Sequence, residues 1–235
     1  MAGDIEDRVR GMLATQWSIR DGRTVPTTES ITLADGGVQI DSTFLYADLA
    51  GSSKIATSLD RKTAAKTFKA FLNITSKLIV DHGGSIASFD GDRVMGIFVG
   101  DRMNSRAAIC GLKINWAVQN VLAPKLKSYF KTLRESELDI SHCVGIDTST
   151  VLAVRGGIRG SNDLVWVGRA PNLAAKLSDL RIAPYRTAIS GTVFSKLADD
   201  AKYGGEPKKL MWSERDYTWA GGTIKIHASS WTWAT

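Results

Sequence analysis

Cysteine is nearly absent from this chain: Cys110 and Cys143 are the only two in 235 residues. They stand in unlike contexts, which excludes a disulfide framework and gives no paired zinc-ligand spacing. Histidine is as scarce, and His82, His142 and His227 lie too far apart for ligand spacing, so they read as structural residues. No apolar run approaches the roughly 20 residues that a membrane helix needs. The opening Met1-Ala2-Gly3-Asp4-Ile5-Glu6-Asp7 is acidic and polar, unlike a secretory signal. Internal repeats and low-complexity tracts are missing. Together these absences predict a reduced, soluble, cytoplasmic protein: one domain with decorations, with no membrane partner.

A surplus of one charge sign is present but thin. Thirty Lys and Arg against 24 Asp and Glu give +6, densest at Lys125–Lys131 and Lys208-Lys209. Aromatic and basic residues do not interleave as they do in single-strand binders. The surplus therefore predicts a solvated surface and a phosphate-bearing small ligand, not a nucleic acid. Hydrophobic content of 43% is enough for a full core.

Residues 4–20 have helical spacing, with Ile5, Val9, Met12 and Leu13 on one face, as a dimer or core-packing element. Asp21-Gly22-Arg23 breaks it, and short extended segments follow around Gly36-Gly37. These make an N-terminal arm, 1–41, ahead of a main domain, 42–235. Within the domain, Thr43–Asp48 reads as a strand and 54–82 as a helix stopped by Gly83-Gly84. Ser85–Asp90 and Arg93–Val99 read as strands joined at Gly91-Asp92, 104–134 as a helix interrupted at Pro124, and Leu138–Asp147 as a strand. The order β-α-β-β-α-β predicts an α+β, ferredoxin-like fold, closed by a C-terminal β-hairpin carrying Trp219, Trp231 and Trp233.

That topology decides where two aspartates go. A right-handed crossover makes the first two strands parallel, with the third returning between them. Asp48 ends the first strand and Asp92 opens the third, so they meet across one strand spacing, about 5 Å at the backbone. Two carboxylates on one sheet edge suit a hard divalent cation that shares its ligands with phosphates. Gly51-Ser52-Ser53 begins the next helix, where free N–H groups suit a phosphate and a plain serine N-cap is the alternative.

The segments Thr43-Phe44-Leu45-Tyr46-Ala47-Asp48-Leu49-Ala50-Gly51-Ser52-Ser53, Phe89-Asp90-Gly91-Asp92-Arg93-Val94-Met95 and Val165-Trp166-Val167-Gly168-Arg169-Ala170-Pro171-Asn172-Leu173-Ala174-Ala175-Lys176 resemble the three motifs of class III nucleotidyl cyclases. The resemblance covers roughly 42–190. It implies two Mg²⁺ or Mn²⁺ ions per site, held by Asp48, Asp92 and the Leu49 carbonyl. It also implies a homodimer with composite sites, in which Asn172 orients the ribose of a nucleoside triphosphate and Lys176 faces its α-phosphate across the interface. Departures bear on the substrate. Lys176 stands where the family usually has Arg, and Ser88 and Val165 stand where purine cyclases carry base-reading residues. Tyr46 stands where Phe is common, either lengthened towards a smaller base or simply packed in its strand. The C-terminal hairpin offers only Lys225 and His227 for the terminal phosphates. This combination, with Val25-Pro26-Thr27-Thr28, is similar to the pyrimidine cyclases of bacterial Pycsar antiphage systems. That resemblance implies UTP as substrate ahead of CTP, cyclic UMP as product, and a separate cyclic-nucleotide-responsive effector. A purine cyclase and a silent nucleotide-binding domain are the competing readings.

Overall fold

The computed structural model describes residues 2–234. Its elements, in chain order, are α1 (Ala2–Ala14), β1 (Ser18–Asp21), β2 (Gly36–Ala50), α2 (Ser52–Ser58), α3 (Arg61–Asp81), β3 (Ser85–Asp90), β4 (Arg93–Phe98) and α4 (Met103–Ala117). There follow α5 (Ala123–Tyr129), α6 (Lys131–Glu135), β5 (Ser141–Ile158), β6 (Ser161–Val167), α7 (Arg169–Ser178), β7 (Thr187–Ser190), α8 (Gly191–Ser195) and α9 (Asp199–Lys202). A small pair, β8 (Tyr203–Gly204) and β9 (Lys209–Leu210), precedes the hairpin of β10 (Ser213–Trp219) and β11 (Gly222–Ser229).

The main sheet runs β10-β11-β7-β5-β2-β4-β3, and its last four strands are the ferredoxin-like core. β2 lies antiparallel between β5 and β4, and β4 separates β2 from β3 as the crossover rule requires. Strands β2 and β5 are longer than their sequence pattern suggests. They pair continuously from Gly37 opposite Val154 to Ala50 opposite Ser141. The division between arm and domain at 41/42 falls inside β2, and β1 adds to that strand in parallel from Ser18 opposite Gly36. The pattern fails because the middle of the ladder is polar. Thr43 and Thr148 are fully enclosed there, and Thr43 bonds both Thr148 and Asn104 at 3.1 Å.

Side chains alternate across β2. Leu45, Ala47 and Leu49 enter the main core with Phe71, Ile79 and Leu112 from α3 and α4. Phe44 joins Met95, Ile97, Val151, Ala170 and Ala174 on the opposite face, beneath α7. The approach of α7 requires Gly145 of β5: a Cβ there would stand 2.1 Å from the Ala174 carbonyl oxygen and 2.3 Å from the Ser178 nitrogen.

Three helices also differ from expectation. The helix expected over 54–82 is broken at Asp60, whose carboxylate caps α3 by accepting from the Lys62 and Thr63 N–H groups. The helix expected over 104–134 widens into a π-turn at Val118–Leu122 before Pro124. Proline lacks an N–H and its ring crowds the preceding turn, and the wider turn relieves both. The N-terminal helix stops at Ala14 and joins no core cluster among the described residues, with Ile5, Val9, Met12 and Leu13 all exposed. Residues 18–20, expected in that helix, belong to β1.

Candidate active site

Asp48 and Asp92 meet at the end of β2. Asp48 pairs across the sheet with Arg93, and Asp92 is the neighbouring residue in the β3–β4 turn. That turn needs Gly91, whose φ of 59° lies in the left-handed region that glycine adopts without strain. Asp48 is largely buried on the α7 side of the sheet, and its carboxyl is held above the usual carboxylate range. Burial is the main cause, Asp92 adds repulsion, and a hydrogen bond from Arg181 works in the opposite direction. Asp92 keeps a buried Oδ2 without a partner among the described residues. Two close carboxylates, one with an idle buried oxygen, form a site short of positive charge.

Two arginines approach it. Arg181 follows α7 and donates through Nη2 to Asp48 Oδ2, while its Nη1 donates to the Ser178 carbonyl at 2.6 Å. Arg93 donates to Asp90 at 3.1 Å, faces Asp179 at 3.7 Å, and lies 5.7 Å from the Tyr46 ring centroid. Neither was singled out from sequence. Arg181 lies in an aperiodic stretch with no motif, and Arg93 is one of thirty cationic residues, distinguished only by following Asp92.

Next to the carboxylates is a row of three side chains in register: Tyr46 opposite Met95 opposite Ser88. Ser88 reaches this row through a bulge in β3, where the register shifts between Ile86 and Ser88. Tyr46 packs against the cluster of Phe44 and Met95, and its phenol is raised mainly by burial. At the start of α2 the N-cap is Gly51, with φ of 70°, so the serine N-cap reading does not hold. Ser52 and Ser53 form the first turn of a seven-residue helix without a side-chain cap.

The structure thus gathers Tyr46, Asp48, Leu49, Ser88 and Asp92 on neighbouring strands. Asn172 and Lys176 lie on the exposed stripe of α7, while Leu173 and Leu177 of the same helix are buried. Asn172 bonds the Gly168 carbonyl at 2.9 Å, and neither side chain bonds Asp48 or Asp92 within the chain. Val165 is exposed on β6, with Leu164 and Trp166 turned to the other face. In the C-terminal hairpin, Lys225 is paired with Glu214 and Asp216 and borders a cleft of about 310 Å³ with Arg169, Thr192 and Trp219. His227 stacks on Phe194 at 3.7 Å. Arg169 makes two 3.1 Å bonds to Asp147, a fully enclosed carboxylate that burial raises. His142 is enclosed too, and both its ring nitrogens lack partners among the described residues. Burial pushes its pKa down to about 3.

No family model matches the chain. Its fold is that of the class III nucleotidyl cyclase catalytic domain. The guanylyl cyclase Cya2 matches 84% of this chain with 95% of its own at a TM-score of 0.67 and 20% identity. Sequence relatives are closer. A uridylate cyclase from Rhodovulum sp. (strain MB263) is 44% identical over 97% of this chain and 95% of its own. One from Xanthomonas perforans is 39% identical over 92% and 91%. The chain belongs to the uridylate cyclase family.

Proposed function

We propose that the protein converts UTP into 3′,5′-cyclic UMP and pyrophosphate, as the messenger-producing member of an antiphage system whose separate effector responds to the cyclic nucleotide. The observation that carries this reading is the Asp48–Asp92 pair in a chain of the uridylate cyclase family. The donor set suits Mg²⁺ or Mn²⁺. Asp92 has an unpartnered buried oxygen, Asp48 is repelled by Asp92, and the two are not part of any cluster of three or more His, Cys, Asp or Glu among the described residues. Such ions complete their shells with water and substrate phosphates. Asp48, Asp92 and the Leu49 carbonyl would hold two of them, which when bound supply Lewis-acid activation and charge neutralisation.

In the reaction the ribose 3′-oxygen bonds to the α-phosphorus, the bond to the pyrophosphate oxygen breaks, and the hydroxyl proton leaves to solvent. Asn172 orients the ribose and Lys176 places positive charge beside the α-phosphate. Both are exposed and neither bonds Asp48 or Asp92 of its own chain, which supports a homodimer in which one protomer's α7 faces its partner's metal site. Tyr46, Ser88 and Val165 would border the base. None carries a charge, and the half-buried row of Tyr46 and Ser88 favours a pyrimidine. Gly51, Ser52 and Ser53 would lie beside the phosphates. Among the described residues no helix is long and apolar enough to cross a membrane.

The test is product analysis by mass after incubation with UTP, CTP, ATP or GTP and Mn²⁺. Cyclic UMP as main product is expected. Cyclic CMP as main product would reassign the base, and a cyclic purine nucleotide or no product would overturn the reading.

A further inference from the structure

We propose that Arg181 is an exchangeable counter-cation of the metal site: it neutralises Asp48 in the nucleotide-free protein and transfers its guanidinium to the triphosphate when the ions bind. The proposal rests on the metal and substrate reading above. Its first support is the ion pair itself. Asp48 is only 13% exposed and its Oδ2 accepts from Arg181, so the oxygen a metal would use already carries a cation. A buried carboxylate without such a partner is costly, and the arginine lets the site exist before metal arrives.

The second support is that the arrangement is incomplete. Arg181 hydrogen-bonds one of the two carboxylates, Arg93 acts on Asp48 only at longer range, and Asp92 Oδ2 stays buried without a partner among the described residues. Arg93 does not fill the gap: its two Nη atoms face Asp90 and Asp179, and its buried Nε bonds neither Asp48 nor Asp92. A divalent cation supplies the missing charge and a contact for the idle oxygen, so it outcompetes the guanidinium at Asp48 while leaving it without a partner.

The third support is where Arg181 is attached. It sits beyond the last turn of α7, 39% exposed, and its Nη1 stays on the Ser178 carbonyl at the negative end of the helix. One nitrogen is thus anchored while the other is exchanged. A guanidinium released beside incoming phosphates finds a planar two-oxygen partner, which an ammonium cannot match in the same way. Metal and nucleotide then bind with mutual reinforcement, because each removes an obstacle to the other.

The experiment follows free Mn²⁺ by electron paramagnetic resonance during titration into nucleotide-free protein. Arg181→Gln should bind Mn²⁺ about tenfold more tightly than wild type, the size of one charge-assisted hydrogen bond at a part-exposed site. Arg181→Lys should restore weak binding, and adding Asp48→Asn to Arg181→Gln should abolish the gain. In saturating Mn²⁺, 3′-deoxy-UTP, which cannot cyclise, should bind Arg181→Gln about tenfold more weakly than wild type. Unchanged Mn²⁺ affinity in Arg181→Gln, or unchanged 3′-deoxy-UTP affinity, would overturn the proposal. If Mn²⁺ binding is also indifferent to Asp48, the metal reading falls with it. If Asp48 is required and only the arginine is neutral, the metal reading stands and the counter-cation role alone is lost.

Discussion

Replacing Gly145 by alanine should lift α7 from the sheet and weaken catalysis without touching a group that meets substrate. The new Cβ would stand 2.1 Å from the Ala174 carbonyl oxygen and 2.3 Å from the Ser178 nitrogen, where ordinary contact begins at 3.4 Å. Both opposing atoms are helix backbone, so no side chain can rotate away, and α7 must move by at least about 1 Å. Overpacking of this kind costs about 1–3 kcal/mol, and a backbone opponent places the change near the upper end. For a domain of this size that lowers the melting temperature by about 6–12 °C. The same displacement carries Asn172 and Lys176, and a misplacement of about 1 Å is enough to reduce turnover by about a hundredfold. A thermal melt by circular dichroism and a cyclic UMP assay well below the new melting temperature separate the two effects. A variant that melts within a degree of wild type and cyclises UTP at the normal rate would refute the packing argument.

His142 makes stability pH-dependent in a definite direction. Its folded pKa is about 3 against an ordinary 6.5, so below 6.5 the unfolded chain takes up a proton that the native state does not, and stability falls with pH. Between pH 7 and pH 5, urea unfolding of wild type should lose about 2 kcal/mol relative to His142→Leu, and an unchanged gap would contradict the burial. For the composite site, mixing inactive Asp48→Ala with inactive Asn172→Ala chains should restore activity through one intact site per heterodimer. No recovery in verified heterodimers would count against cross-subunit catalysis.

The core of the fold was legible because its signals are local. Gly91-Asp92 between two apolar runs marks a hairpin, and the βαβ rule then places Asp92 beside Asp48. The full lengths of β2 and β5 were hidden by Asp41-Ser42 and Thr148-Ser149-Thr150, polar runs at which the apolar strand pattern stops. They form strand because Thr43, Thr148 and Asn104 satisfy one another inside the sheet. The serine cap, offered as the alternative at this helix start, fails because Gly51 and Ser52 both suit an N-cap, and the choice depends on where the strand ends. Arg181 left no trace in the sequence, since its importance comes from a contact 133 positions away. The exposed face of α1 shows the opposite limit: amphipathic spacing was plain, but the spacing does not say which surface covers it.

The scarcity of cysteine turns the two thiols into clocks. Cys143 lies opposite Asp48 in the ladder, with Sγ 3.5 Å from the Leu177 carbonyl, and burial pushes its pKa up to about 11. While α7 rests on β5, a thiol reagent meets neither a reachable sulfur nor a thiolate. Modification of Cys143 therefore counts the moments when the end of α7 opens beside Asp48. Cys110, enclosed within α4, reports the loss of the whole core. With no other cysteine to confuse the record, the ratio of the two labelling rates measures how far the active-site helix moves independently of the fold that carries it.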